Sequence, residues 1–144
     1  MKESVKKVYA YPVRKKKNPQ LLVFSHKDHP EAGIQIPGGT LENSENPREG
    51  VKREMMEETG LTDFTVERSF EKSCCEFEGE KLERYFFLLN VKDEEDHWNH
   101  KVSGDGEDSG LVFRCFWLEE EEFEVLPDYF TPFLDPEHIP FLFD

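Results

Sequence analysis

Glu54, Glu57 and Glu58 fall at offsets 0, +3 and +4, so on a helix they occupy one stripe about 100° wide. Carboxylates at that spacing repel, by roughly 0.2–0.5 kcal/mol per exposed pair and more when partly buried. A divalent cation accounts for such a stripe. Mg²⁺ takes carboxylate oxygens, keeps several waters, and shares its remaining positions with substrate phosphates. Ahead of the stripe stands Pro37-Gly38-Gly39-Thr40, read as a turn in which glycine, lacking Cβ and free to adopt positive φ, lets backbone approach a ligand. The Gly38 carbonyl is a candidate additional ligand. Arg53 precedes Glu54 and lies four residues before Glu57, placed to pair with a carboxylate or to hold the preceding loop, with Glu45 its natural partner there.

A helix must carry these groups. From Asn46-Pro47 to Thr59, helix formers run with Gly50 the one breaker, and Gly60 follows where a C-terminal cap belongs. Pro47 suits the first turn, with Ser44 or Asn46 as N-cap. Val51 and Met55, spaced i, i+4, would bury the helix against a sheet.

Strand-like runs surround it. Val8 to Val13 and Leu21 to Phe24 flank Lys17-Asn18-Pro19 as an early hairpin, and Ile34-Gln35-Ile36 is a third short run. Phe64 to Phe77 and Leu82 to Val91 bracket a turn at Glu78-Gly79-Glu80-Lys81, and Leu111 to Leu118 is the last strand. A second, weaker helix is expected over Glu119 to Glu124 or Pro127 to Leu134. No repeat or linker interrupts the pattern, so residues 1–144 read as one domain of α/β (α+β) class.

The chain carries 18 basic and 32 acidic residues, a formal charge of −14. That balance repels nucleic-acid backbone and anionic membrane and leaves a phosphate substrate in need of a mediating cation. Aromatic residues at 13% argue against disorder. Seven of the first 17 residues are basic against Glu3 alone, an end that could touch substrate phosphates but reads first as a solvated edge strand and turn. No apolar segment resembles a secretory signal or bilayer span, so a cytoplasmic location is expected. Cys74, Cys75 and Cys115 offer no disulfide framework and read as small hydrophobes on buried or half-buried strands. His97-x-x-His100 lacks further ligands nearby and reads as a polar loop rather than a zinc site. The Phe-rich tail (Phe130, Phe133, Phe141, Phe143) is either a homodimer contact or a cover for the sheet.

Residues 39–61, GTLENSENPREGVKREMMEETGL, resemble the Nudix box, G-x5-E-x7-R-E-U-x-E-E-x-G-U with U aliphatic. Gly39, Glu45, Arg53, Glu54, Met55, Glu57, Glu58, Gly60 and Leu61 fill its nine defined positions, Met55 standing where Leu or Ile is commoner. The resemblance implies an α/β/α sandwich around a mixed sheet and a MutT-like pyrophosphatase activity, Mg²⁺-dependent (or Mn²⁺-dependent) hydrolysis of a nucleoside diphosphate linked to another moiety. It implies that Glu57 and Glu58 are metal ligands and that Glu54 is a ligand or the base that deprotonates water. Gly38 would add its carbonyl, and Arg53 with Glu45 would brace the loop. Family members often add a loop acid before the late aromatic strand, and Glu107 is the expected one. Two other roles use the same fold. A nucleotide or ADP-ribose sensor would bind without hydrolysis, although such modules commonly have an eroded box. An isoprenyl diphosphate isomerase would need a poised cysteine and a longer chain.

Overall fold

The computed structural model describes residues 4–92, 95–104, 106 and 108–143. Eight strands form one mixed sheet: β1 (Val5–Lys15), β2 (Pro19–His26), β3 (Gly38–Thr40), β4 (Phe64–Ser69), β5 (Ser73–Phe77), β6 (Glu80–Val91), β7 (His97–Lys101) and β8 (Val112–Leu118). The order across it is β4-β6-β1-β2-β8-β7, with β3 also on β1 and β5 also on β6. β1 and β6 run parallel from Val5↔Leu82 to Val13↔Asn90, and the other pairings are antiparallel. Because β1 is covered on both faces, it reads as an uninterrupted buried run rather than an alternating one.

The two faces differ in what covers them. Val8, Ala10, Leu22, Phe24, Phe87 and Leu89 meet Val51 and Met55 of the helix α1 (Pro47–Thr59). Tyr9, Tyr11, Val13, Leu21, Val23 and Phe86 face the other way, under a C-terminal segment that contributes Phe123, Leu126, Phe133, Ile139 and Leu142. Helix α1 starts where Asn46 Oδ1 accepts from the Glu49 N–H at 2.9 Å and ends at Gly60, whose φ of 78° suits glycine. A helix on one face and 3-10 turns on the other give the α/β (α+β) sandwich.

Several expectations change. The C-terminal helix is replaced by 3-10 turns at Glu120–Val125, Asp128–Phe130 and Pro140–Phe143, because Pro127, Pro132, Pro136 and Pro140 leave no room for longer helix. Ile34 to Ile36 makes only an isolated bridge, Gln35 to Phe24, and the strand lies instead at Gly38–Thr40. The Phe64 to Phe77 run splits into β4 and β5, both on β6, with positive φ at Glu78 and Gly79 closing the tight turn. β1 is not an edge: Arg14 is buried, its guanidinium 2.8 Å from Asp96 and stacked 4.0 Å over Trp117. Cys115 is buried and Cys75 half-buried as expected, but Cys74 is exposed. The tail phenylalanines all pack on the second face. Among the described residues no helix is long and apolar enough to cross a membrane.

Candidate active site

Arg53 is the hub of the site. Its Nε and Nη2 grip Glu45 at 2.7 and 2.9 Å, a two-pronged pairing that fixes both groups in plane. Nη2 also donates to the Thr40 carbonyl at 3.2 Å, which ties the helix to β3. Nη1 turns to the ridge, 2.8 Å from Glu54 and 3.3 Å from Glu57. The guanidinium bond to Glu45 holds that carboxyl below the usual range.

The three ridge carboxylates sit at different depths. Glu58 is 3% exposed and points under the helix, where its Oε1 accepts the Gly38 N–H at 2.7 Å. Burial first, then the charges of Glu54, Asp108 and Glu57, push its pKa well above the ordinary carboxylate value, against the Gly38 hydrogen bond. Glu54 is raised to about 7, again chiefly by burial, with Arg53 opposing. The Cys115 thiol below is pushed up to about 12 by burial and by Glu58.

Glycines make room for these groups. A Cβ on Gly39 would lie 2.6 Å from Glu54 Oε2, one on Gly104 would lie 2.5 Å from Glu57 Oε1, and one on Gly38 would strike the Tyr9 ring. Gly38 and Gly39 form strand rather than the expected turn, and positive φ plays no part at either. What glycine provides there is the missing side chain alone.

The His97–His100 stretch, expected as a polar loop, is strand β7, from which Trp98 and His100 complete the site from behind. His100 Nε2 donates to the Glu57 carbonyl at 3.0 Å and Trp98 Nε1 to the Thr59 carbonyl at 2.8 Å. The last turn of α1 contains no basic residue, so these bonds satisfy carbonyls that a helix end leaves open. His97, an odd number of residues from His100 on one strand, faces the opposite side. Glu107 lies outside the described residues. Its neighbour Asp108 is half-buried and its charge is felt at Glu58; in so acidic a loop, composition does not single it out.

A hard divalent cation suits these donors in kind. Three carboxylates and a backbone carbonyl supply oxygen, the glycine cradle leaves no Cβ between them, and Arg53 is already committed to Glu45. Among the described residues no three Asp, Glu, His or Cys side chains are grouped closely enough to hold an ion as they stand.

The NUDIX domain family model matches residues 4–140. No curated protein matches. Among solved structures, a NUDIX hydrolase from Nitrosomonas europaea superposes with a TM-score of 0.67 at 20% identity, covering 97% of this chain and 92% of that one. A MutT protein from Methanosarcina mazei Go1 gives 0.63 at 24% identity, covering 90% and 88%. A C. elegans Ap4A hydrolase gives 0.62 at 19% identity, covering 85% and 86%. With the family match spanning strand, box and tail alike, this chain belongs to the NUDIX domain family.

Proposed function

We propose that residues 1–144 act as one catalytic domain that hydrolyses a phosphoric anhydride in a nucleoside diphosphate linked to another moiety. The observation that carries this reading is the desolvated ridge of Glu54, Glu57 and Glu58 held against the glycine strand by Arg53. Glu54, Glu57, Glu58 and the Gly38 carbonyl would hold Mg²⁺ or Mn²⁺. Such an ion, when bound, lowers the pKa of a coordinated water and neutralises phosphate charge. Glu54, a carboxylate within reach of Arg53 and the glycine strand, is the candidate base. As a new bond forms from water oxygen to phosphorus, the water proton passes to a Glu54 oxygen. The bridging P–O bond breaks, and the electron pair leaves with the departing phosphate. Arg53 positions Glu54 and braces the Glu45 loop; Glu107, or its neighbour Asp108, whose charge is felt at Glu58, would supply the further loop acid. Free thiols at Cys74, Cys75 and Cys115 fit a reducing, cytoplasmic setting.

Nucleotide-type substrates are favoured by the family and by the Ap4A hydrolase and MutT neighbours. The test is release of phosphate or pyrophosphate from a panel of nucleoside triphosphates, nucleotide sugars and dinucleoside polyphosphates, with Mg²⁺ or with chelator. Turnover of at least one class, abolished by chelator, is expected. Binding without turnover across the panel would instead establish a sensor.

A further inference from the structure

The opposite face of the sheet buries a cation that lacks a counter-charge. Arg84 of β6 is 5% exposed. Its guanidinium lies 4.3 Å from the Tyr129 ring, 5.1 Å from Phe86 and 5.8 Å from Tyr9. One Nη1 donates to the Tyr129 carbonyl, and Nε is buried with no hydrogen-bond partner. The other strongly held arginines differ: Arg14 has Asp96, and Arg53 has Glu45 and Glu54. Among the described residues no carboxylate pairs with Arg84. Lys7 stands directly opposite it on β1, on the same face, and likewise makes no ion pair with a described carboxylate. A buried, unpaired charge is strongly unfavourable, so two adjacent cations without an anion indicate where an anion belongs.

This place connects to the ridge. Tyr9 of β1 lies against Gly38, and its hydroxyl is 3.0 Å from that of Tyr129. β3, β1 and β6 are consecutive neighbours, which sets Arg84 about 10 Å, two strand spacings, from the glycine strand. Tyr129 is half-buried on the short Asp128–Phe130 turn. Beside it Phe77, 52% exposed, sits with its ring 5.3 Å away.

We propose that Arg84 is a specificity-determining residue that receives, with Lys7, a substrate phosphate beyond the two flanking the scissile anhydride, Tyr129 turning aside to admit it. This rests on the pyrophosphohydrolase reading above. The competing role is purely structural, a latch that holds the C-terminal segment by the Tyr129 carbonyl.

The experiment compares a dinucleoside tetraphosphate with ADP-ribose, which has only the two bridging phosphates, in wild type, Arg84→Met and Arg84→Lys. Arg84→Met should raise KM for the tetraphosphate at least tenfold with kcat within threefold, leave kcat/KM for ADP-ribose within threefold, and be rescued by Arg84→Lys. Equal losses on both substrates, or none on either, would overturn the assignment. Calorimetric binding of inorganic tripolyphosphate without metal separates this from failure of the hydrolase reading. Wild type should bind at least tenfold more tightly than Arg84→Met even if neither nucleotide is turned over, and equal affinity would refute the site. Should Arg84→Met not fold, Tyr129→Ala serves instead. Uncovering Arg84 should strengthen tripolyphosphate binding, whereas unchanged or weakened binding leaves only the latch.

Discussion

The two faces of the sheet bury comparable aromatic and aliphatic cores, yet they are assembled differently. On the helix face, most of the chemistry comes from residues 38–61, whose members meet through helix spacing and one short strand. On the other face, Tyr9, Arg84, Tyr129 and Phe133 come from three distant parts of the chain; Tyr9 meets Tyr129 across 120 residues and Arg84 meets it across 45. The first face concentrates negative charge that Arg53 offsets only in part, and the second a positive charge without a partner carboxylate among the described residues. A divalent cation would answer the first and a phosphate crossing from it the second.

Substitutions should separate the faces. The largest effect is expected from Glu57→Gln or Glu58→Gln, each lowering kcat by roughly 10²–10³ in steady-state assays with Mg²⁺ while the fold persists. A loss below tenfold would remove the ligand roles. Next, Phe133→Ala removes a ring stacked 5.2 Å from Phe70 and set edge-on 5.4 Å from Phe86. It should cost about 3 kcal/mol in denaturant unfolding with kcat nearly unchanged; a parallel collapse of kcat would mean that the faces are not separable.

Gly39→Ala should reverse that pattern. The atoms nearest its Cβ belong to the far end of a flexible side chain, the Glu54 carboxylate, so the fold can yield while the base is displaced. About a tenfold drop in kcat is expected, with thermal unfolding shifted by no more than about 3 °C.

The smallest effect concerns pH. Burial raises Glu54 from 4.5 to about 7 and raises Glu58 as well, so the folded protein holds protons that the unfolded chain releases. Their contribution to stability is complete below about pH 4.5 and is lost as pH rises through 7. With chelator present, the midpoint of thermal unfolding should fall by about 3 °C between pH 5 and pH 8. Mg²⁺ should restore it more at pH 8 than at pH 5. A midpoint that rises over this range without metal would contradict the depth assigned to these carboxylates.

How far each face can be read from sequence follows from the same difference. Helix α1, its Asn46 and Gly60 caps, the Val51–Met55 seam and the Arg53–Glu45 pair are set by residues within a few turns of one another, and the spacing of their types suffices. The strand character of Gly38–Gly39 is not local, because two glycines have no strand preference and pair only because β1 lies beside them. His97–Lys101 looks like a polar loop for a related reason. It is an edge strand, with few apolar side chains, fixed by β8 and by the open carbonyls of α1. The pairing of Lys7 with Arg84 depends on the parallel β1–β6 register, which no short-range signal encodes.

The most direct measurement of the central claim is Mn²⁺ binding followed by electron paramagnetic resonance, in wild type and in the Glu54→Gln, Glu57→Gln and Glu58→Gln variants without nucleotide. Wild type should take up at least one ion, and each variant should weaken it by tenfold or more. Binding of undiminished affinity in all three variants would place the metal elsewhere and contradict the assignment of the ridge.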